Sequence, residues 1–186
     1  MKSAVVLLAE GFEEVEALTP VDYVRRAGIT AVIAAIGNSL SVRGARGITV
    51  HADGLLQDLL ADRKSGFWDA VVIPGGMPGA SNIAASKEAG TLIGEMAAAG
   101  KLVCAICASP VIVLSPLGLL DGKKYTCYPG MEGKAPEGIW LPERVVTDGT
   151  IITSRSAGTA GEFAIAIIAG LLSAAEADKI AQTVLL

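Results

Sequence analysis

Lys101-Leu-Val-Cys-Ala-Ile-Cys-Ala-Ser-Pro110 decides how this chain is read. The apolar run 102–106 has the look of a buried strand, and it stops at Cys107. Two small residues and Pro110 follow, then a second apolar run that reads as a helix. A side chain at such a strand-to-helix corner is pushed out of the sheet edge. It also meets the free N–H groups of the helix start, whose field favours a thiolate. That is the pattern of a nucleophile elbow, with sulfur in place of serine. The plain alternative is a small hydrophobe in the core, the commonest fate of a free cysteine.

Working outward, the rest of the chain supplies a sheet for this corner. Residues 3–9 form a continuous apolar run and predict a buried strand. Gly11 and an acidic helix start at Glu13, Glu14 and Glu16 follow, and the helix ends on Arg25, Arg26 and Gly28. Residues 30–36 predict a second strand. Strand, helix and strand with short links make a right-handed βαβ unit and a parallel sheet. Further strands are expected at 48–51, 70–73, 123–128, 144–147 and 150–154, with Asp148-Gly149 as a turn. Helices are expected at 55–60, 87–99, 161–173 and 174–186. Residues 128–141, rich in Gly and Pro, read as a surface excursion. The fold class is therefore α/β, with a mostly parallel sheet and helices on both faces, in one domain over residues 1–186.

Composition narrows the function. The chain has 186 residues, 52% of them hydrophobic but only 4% aromatic, so its core must be built from Ala, Val, Ile and Leu. That suits parallel strands buried on both faces. A net charge of −4 leaves no basic stripe for nucleic acid. Three irregularly spaced cysteines and no secretory leader point to a reducing cytoplasm. Residues 102–120 carry no charge and have the length of a membrane span. Pro110, Pro116 and Gly118 within them favour a buried strand, a turn and a short helix.

In an open parallel sheet, ligands bind beyond the carboxyl ends of the strands. Three segments sit at such ends: the acidic stretch after Ala9, Gly75-Gly76 after Ile73, and Cys107 after Ile106. Glycines there let a backbone N–H approach a substrate oxygen. They also serve as a tight turn, and neither a dinucleotide fingerprint nor a phosphate loop is present. A carboxyl buried over the sheet edge would have a raised pKa and could exchange a proton with the thiol. Spacing alone does not choose among Glu13, Glu14 and Glu16, and a solvated first turn suits Glu13 and Glu14. Cys104 lies inside the strand. Three extended residues span about 10 Å, too far for a disulfide with Cys107, so Cys104 reads as core. One histidine, His51, and no second cysteine pair exclude a zinc site. His51 itself reads as structural. Arg43, Arg46 and Arg155 are candidates for an anionic substrate against a default of solvation.

Taken together, these residues resemble the ThiJ/PfpI superfamily, in the branch of the human parkinsonism-associated deglycase and bacterial YajL. The matching text is Ala9-Glu-Gly-Phe-Glu-Glu-Val-Glu16, Pro20-Val-Asp22, Arg25-Arg-Ala-Gly28, Ile73-Pro-Gly-Gly76, Ala105-Ile-Cys-Ala108 and Ser154-Arg-Ser-Ala-Gly-Thr159. The resemblance implies a flavodoxin-like sandwich and a homodimer. It makes Cys107 the elbow nucleophile, easily oxidised to sulfinate, with Glu16 the protonated carboxyl beside it. Gly76 and Ala108 become the oxyanion amides, with Gly75 and Tyr128 beside the substrate. Arg46 and Arg26 fall near the site or the dimer contact. The implied activity is a cofactor-free, metal-free glyoxalase or deglycase acting on methylglyoxal or its protein and nucleotide adducts. An oxidative-stress sensor or holdase chaperone is the implied alternative. Thr126-Cys-Tyr-Pro129 puts Tyr128 where glyoxalase-active relatives carry histidine. Tyrosine donates a hydrogen bond but is a poor base near neutral pH. Ala108 stands where the peptidase-like branch has histidine, which argues against proteolysis.

Overall fold

The computed structural model describes residues 1–62 and 68–186. In chain order the strands and helices are β1 (Ser3–Leu8), α1 (Glu14–Arg26), β2 (Thr30–Ala35), β3 (Ser41–Arg43), β4 (Thr49–His51), β5 (Gly54–Leu55) and α2 (Leu56–Ala61). They continue as β6 (Ala70–Ile73), α3 (Gly79–Ala85), α4 (Lys87–Ala98), β7 (Leu102–Ile106), β8 (Lys124–Tyr125) and β9 (Ile139–Trp140). The chain closes with β10 (Val145–Asp148), β11 (Ile151–Ser154), α5 (Ala160–Leu171) and α6 (Ala174–Thr183).

Seven strands form one sheet in the order β10-β11-β7-β6-β1-β2-β5. Every pairing in it is parallel except β10 with β11, which meet across the Asp148-Gly149 turn. Alternate side chains of each strand point to opposite faces, so the sheet carries two cores. On one face Val6, Leu8, Val72, Cys104 and Ile106 pack with Ala17 and Val21 of α1 and with Phe163 and Ile167 of α5. On the other, Val5, Leu7, Val71, Ile73 and Val103 pack with Leu56 of α2, Ile83 of α3, and Leu92 and Met96 of α4. Both faces are covered, and this is why the strands read as unbroken apolar runs. The result is an α/β, flavodoxin-like sandwich.

Local details depart from the expectations in four places. The run 123–128 yields only the two residues of β8. These pair with β9 in a separate small parallel sheet, so the 128–141 excursion is partly structured. The strand expected near 48–51 is one half of a hairpin, β3 with β4. Helix α3 stands in Gly79-Ala-Ser-Asn-Ile-Ala-Ala85, a stretch too short and too mixed to show periodicity. Its Ala80 and Ile83 are fully buried, so packing rather than propensity holds it. The helix expected after Pro110 is irregular: Pro110–Leu114 is a π-turn and Ser115–Leu117 a 3₁₀ turn. Pro116 has no N–H for the carbonyl four residues back and its ring crowds that carbonyl, so an α-helix cannot run through. The uncharged stretch 102–120 is thus a strand and two short turns, and no helix of the described residues is long and apolar enough to cross a membrane.

The chain winds outward from β1 through β2 to β5, then returns to β6 and continues to β7 and β11. The reversal lies between β1 and β6, and the crevice at their carboxyl ends is the place such sheets reserve for ligands.

Candidate active site

The strand register assembles the centre of the site. β6 pairs β7 with Ile73 beside Ala105. Carried on by two residues, that register sets Gly75 beside Cys107. The Cys107 N–H still donates to the Ser154 carbonyl at 3.0 Å, as if the strand continued. Its φ of 67° then turns the chain sharply. A non-glycine residue held there costs on the order of 1 kcal/mol or more, and such strain gathers at functional corners. The corner is pinned on both sides. The Tyr128 N–H donates to the Cys107 carbonyl at 2.8 Å, and the Ser109 hydroxyl donates to the Pro74 carbonyl at 2.6 Å.

Glu16 comes to the same point from α1. Glu13 caps that helix, its carboxylate accepting from the Glu16 N–H at 2.8 Å. The Glu13 N–H in turn donates to the Gly75 carbonyl at 2.9 Å, and the Gly75 N–H donates to Glu16 Oε2 at 2.9 Å. Glu16 is 1% exposed, and its Oε1 has no hydrogen-bond partner. The glycine pair makes this approach feasible. A Cβ on Gly75 would stand 2.6 Å from both the Cys107 Cβ and Glu16 Oε2. Gly76 has φ +86°, and a Cβ there would meet the Gly11 carbonyl oxygen at 2.6 Å.

Electrostatics couple the two side chains. Burial pushes the Glu16 carboxyl up to about 7; the neighbouring thiol pulls it down, Glu13 adds a push, and the Gly75 and Ala157 amides pull it down. Burial also pushes the Cys107 thiol up, to about 12, reinforced by Glu16, against the downward pull of the Ala108 and Gly76 amides. The amide field expected at the elbow is therefore present, but burial outweighs it and the resting thiol holds its proton. The Glu16 contribution depends on the charge of Glu16. Once Glu16 takes up a proton, the thiolate loses its nearest opponent.

A cavity of about 460 Å³ opens above this pair. Cys107, Glu16, Gly76, Ala108, Arg46 and Tyr128 all line it. Tyr128 is 47% exposed, at the mouth. Gly75 is beneath it, with its N–H given to Glu16. Arg26 is not brought there. It lies ten residues beyond Glu16 on α1, about 15 Å along the helix, and pairs with Asp22 at 2.9 Å on an exposed face. His51 is exposed in β4 and does not line the cavity. Cys104 is buried in the core, where desolvation raises its pKa strongly, and Cys127 is buried as well. Among the described residues, no group of three or more His, Cys, Asp or Glu is placed to hold a metal.

Two participants escaped the sequence reading. Ser109 ties the elbow to the Pro74 turn, and nothing in its neighbourhood announces that bond. Glu14, expected in solvent, is 4% exposed. A periodicity argument could have found it. Residues 14 and 16 lie about 200° apart on a helix, so with Glu16 over the sheet edge Glu14 must face another part of the protein.

The raised Glu16 carboxyl has a measurable consequence. A pKa lifted from 4.5 in the unfolded chain to about 7 in the fold makes the native state favour the protonated form. Its contribution to stability is complete below pH 4.5 and is lost as pH rises through 7. In Glu16→Gln this loss is absent. Urea denaturation at pH 4.5 and pH 8 should show the variant gaining on the wild type by about 3 kcal/mol over that interval. A constant difference between the two proteins would show that Glu16 titrates normally.

Comparison with known proteins identifies the family. The DJ-1/PfpI family model matches residues 2–170. The DJ-1 homologs B and A of Arabidopsis thaliana are 42% and 44% identical over 163 residues, 88% of this chain, which spans only 36% and 41% of their length. The glutathione-independent glyoxalase DJR-1.2 of Caenorhabditis elegans is 35% identical over 171 residues, covering 90% of this chain and 87% of that one. The solved structure of oxidized Toxoplasma gondii DJ-1 superposes with a TM-score of 0.94 at 36% identity, covering 100% of this chain and 98% of that one. A family match along most of the sequence and a shared fold leave one assignment: the chain belongs to the DJ-1/PfpI family.

Proposed function

We propose that this protein is a cofactor-independent glyoxalase or deglycase, with Cys107 as nucleophile and Glu16 as general acid and base. One observation carries the reading. A strained cysteine and a carboxyl with a pKa near 7 share one cavity, with two backbone amides acting on the sulfur. A pKa near the working pH is what a residue needs to take and return protons in turn. The glyoxalase named among the relatives gives independent support.

The steps follow from the geometry. Glu16 takes the thiol proton as the Cys107 sulfur adds to the aldehyde carbon of methylglyoxal. The oxyanion that forms lies against the Gly76 and Ala108 N–H groups and receives the proton back from Glu16. Glu16 then removes the proton from that carbon to give an enediol and delivers it to the adjacent carbon, while the hydroxyl proton passes to the former ketone oxygen, and the adduct becomes a lactoyl thioester. Water hydrolyses the thioester, releasing lactate and restoring the thiol. A glycated amine or nucleotide would enter as its aminocarbinol, with the amine as leaving group. Tyr128 at the mouth supplies a hydrogen-bond donor and no base, so the proton relay falls on Glu16 alone.

A second reading has its own support. Cys107 is half-buried beside a cavity, whereas Cys104 and Cys127 are fully buried. A related DJ-1 was solved in an oxidized form. On this reading Cys107 is a peroxide sensor. Its thiol consumes two molecules of peroxide, gains two oxygens as sulfinate and releases two waters, with protonated Glu16 donating to a sulfinate oxygen. The holdase role would accompany it.

A homodimer belongs to the proposal. Val15 and Ile48, 48% and 56% exposed, flank an open apolar groove with Leu18 on the outer side of α1. A second copy covering that face would bury it.

Three measurements test these statements. Lactate formation from methylglyoxal, without glutathione or metal, should be present in the wild type and lost by at least about a hundredfold in Cys107→Ala and Glu16→Gln; near-normal turnover in either variant refutes the mechanism. Mild peroxide followed by peptide mass spectrometry should add two oxygens to Cys107 first. Oxidation of Cys104 or Cys127 ahead of it sinks the sensor reading. Sedimentation should give a dimer for the wild type and a monomer for Val15→Glu, and a wild-type monomer would end the dimer proposal.

A further inference from the structure

Glu14 takes no part in the chemistry above, yet it is buried and holds on to a distant loop. Its Oε1 accepts from the Arg46 N–H at 2.7 Å and from the Ile48 N–H at 3.4 Å. Gly44 lies flat on the carboxyl, so that a Cβ there would fall 2.7 Å from Glu14 Cγ. Three more bonds tie the same loop to the segment before α1. The Gly11 N–H donates to the Arg43 carbonyl at 2.8 Å, the Arg43 N–H to Glu10 Oε2 at 3.1 Å, and the Ala45 N–H to the Phe12 carbonyl at 2.7 Å. The loop also closes on itself, the Gly44 N–H donating to the Ile48 carbonyl at 2.8 Å.

Residues 43–48 therefore ride on the stretch of chain that ends in Glu16. Ala45 and Arg46 of this loop form one wall of the Cys107 cavity, and with Arg43 they also line an adjoining cleft. Among the described residues no carboxylate is ion-paired with either guanidinium. A cation with no carboxylate partner among the described residues thus lines the same cavity as Glu13 and Glu16.

The geometry points to Glu14 as a positioning residue that sets Arg46 against the Cys107 cavity and so biases that cavity toward carbonyl substrates and electrophiles carrying a negative charge. This rests on the reading of Cys107 as the reactive thiol. A simple charge effect has the opposite sign. Removing a carboxylate near the site makes its surroundings more positive, which favours an anionic reagent. Removing the hold on Arg46 disfavours it.

Alkylation of Cys107 by iodoacetate and by iodoacetamide separates the two, because the reagents differ mainly in charge. The ratio of their rates is read on the Cys107 peptide of the full chain by mass spectrometry, for wild type, Glu14→Ala, Glu14→Gln and Arg46→Gln. Amide hydrogen exchange at Arg46 and Ile48 is followed by NMR in the same proteins. In Glu14→Ala the iodoacetate preference should fall about two- to threefold, to the level of Arg46→Gln, and the Arg46 amide should exchange at least about tenfold faster. Glu14→Gln keeps an oxygen at Oε1 and replaces an Oε2 that has no partner, so its Arg46 amide should exchange as in the wild type, and with the hold kept and a charge removed its iodoacetate preference should equal or exceed that of the wild type. Should Glu14→Ala fail to fold, Glu14→Asp, one methylene too short to reach the loop, should show the same losses. A ratio that is unchanged or raised in Glu14→Ala overturns the proposal, as does a loss in Glu14→Gln equal to that in Glu14→Ala. A wild-type ratio in Arg46→Gln overturns the charge bias. If neither reagent modifies Cys107 in the wild type, the reactive-thiol reading and the bias fall together, while the exchange rates still decide whether Glu14 holds the loop.

Discussion

A missing side chain at Gly75 is the constraint on which the site depends. A methyl group there would lie 2.6 Å from both the Cys107 Cβ and Glu16 Oε2. Because it is absent, a carboxyl from a helix on one face of the sheet reaches a thiol at the end of a strand, and the Gly75 N–H fixes that carboxyl in place. The whole arrangement follows from strand order. With β7, β6 and β1 side by side, the elbow, the glycine turn and the start of α1 end at one edge, and no long loop is needed to join them.

The pairing has an electrostatic cost that also makes it useful. Two acidic groups lie close together and largely buried, so neither ionises easily while the other is charged. Burial lifts both, yet the carboxyl, with the lower intrinsic pKa, stops near neutrality while the thiol is carried well above it. The resting site therefore keeps its sulfur protonated and its carboxyl poised. In the proposed mechanism, nucleophilicity appears when the proton moves between them. The amides at Gly76 and Ala108 then favour negative charge on sulfur or on an oxygen bound to it.

What the sequence made legible and what it hid divide along a physical line. The strands at 3–8, 70–73 and 102–106 showed themselves because burial on both faces demands apolar runs. Cys107 showed itself because such a run broke off at a thiol before small residues and a proline. Glu16 was distinguished from its neighbours by resemblance rather than by pattern, since a first-turn carboxylate is equally at home in water. Helix α3 and the burial of Glu14 were hidden. Each is stabilised by partners far away in sequence, and no local periodicity encodes those partners. The direction of the thiol's titration was hidden for the same reason, because the elbow's field is a local property and desolvation belongs to the finished fold.

The backbone of Cys107 is fully spoken for, its N–H held by Ser154 and its carbonyl by Tyr128. The corner thus behaves as an anvil set in the sheet. A covalent load on the sulfur, whether an acyl group or added oxygen, cannot be relieved by flexing that residue's main chain without breaking a strand-end hydrogen bond. The accommodation falls to the cavity walls rather than to the sheet. On the proposed reading, the chemical state of one atom would thereby be expressed in the outline of the cavity, while the sheet beneath stays as it was.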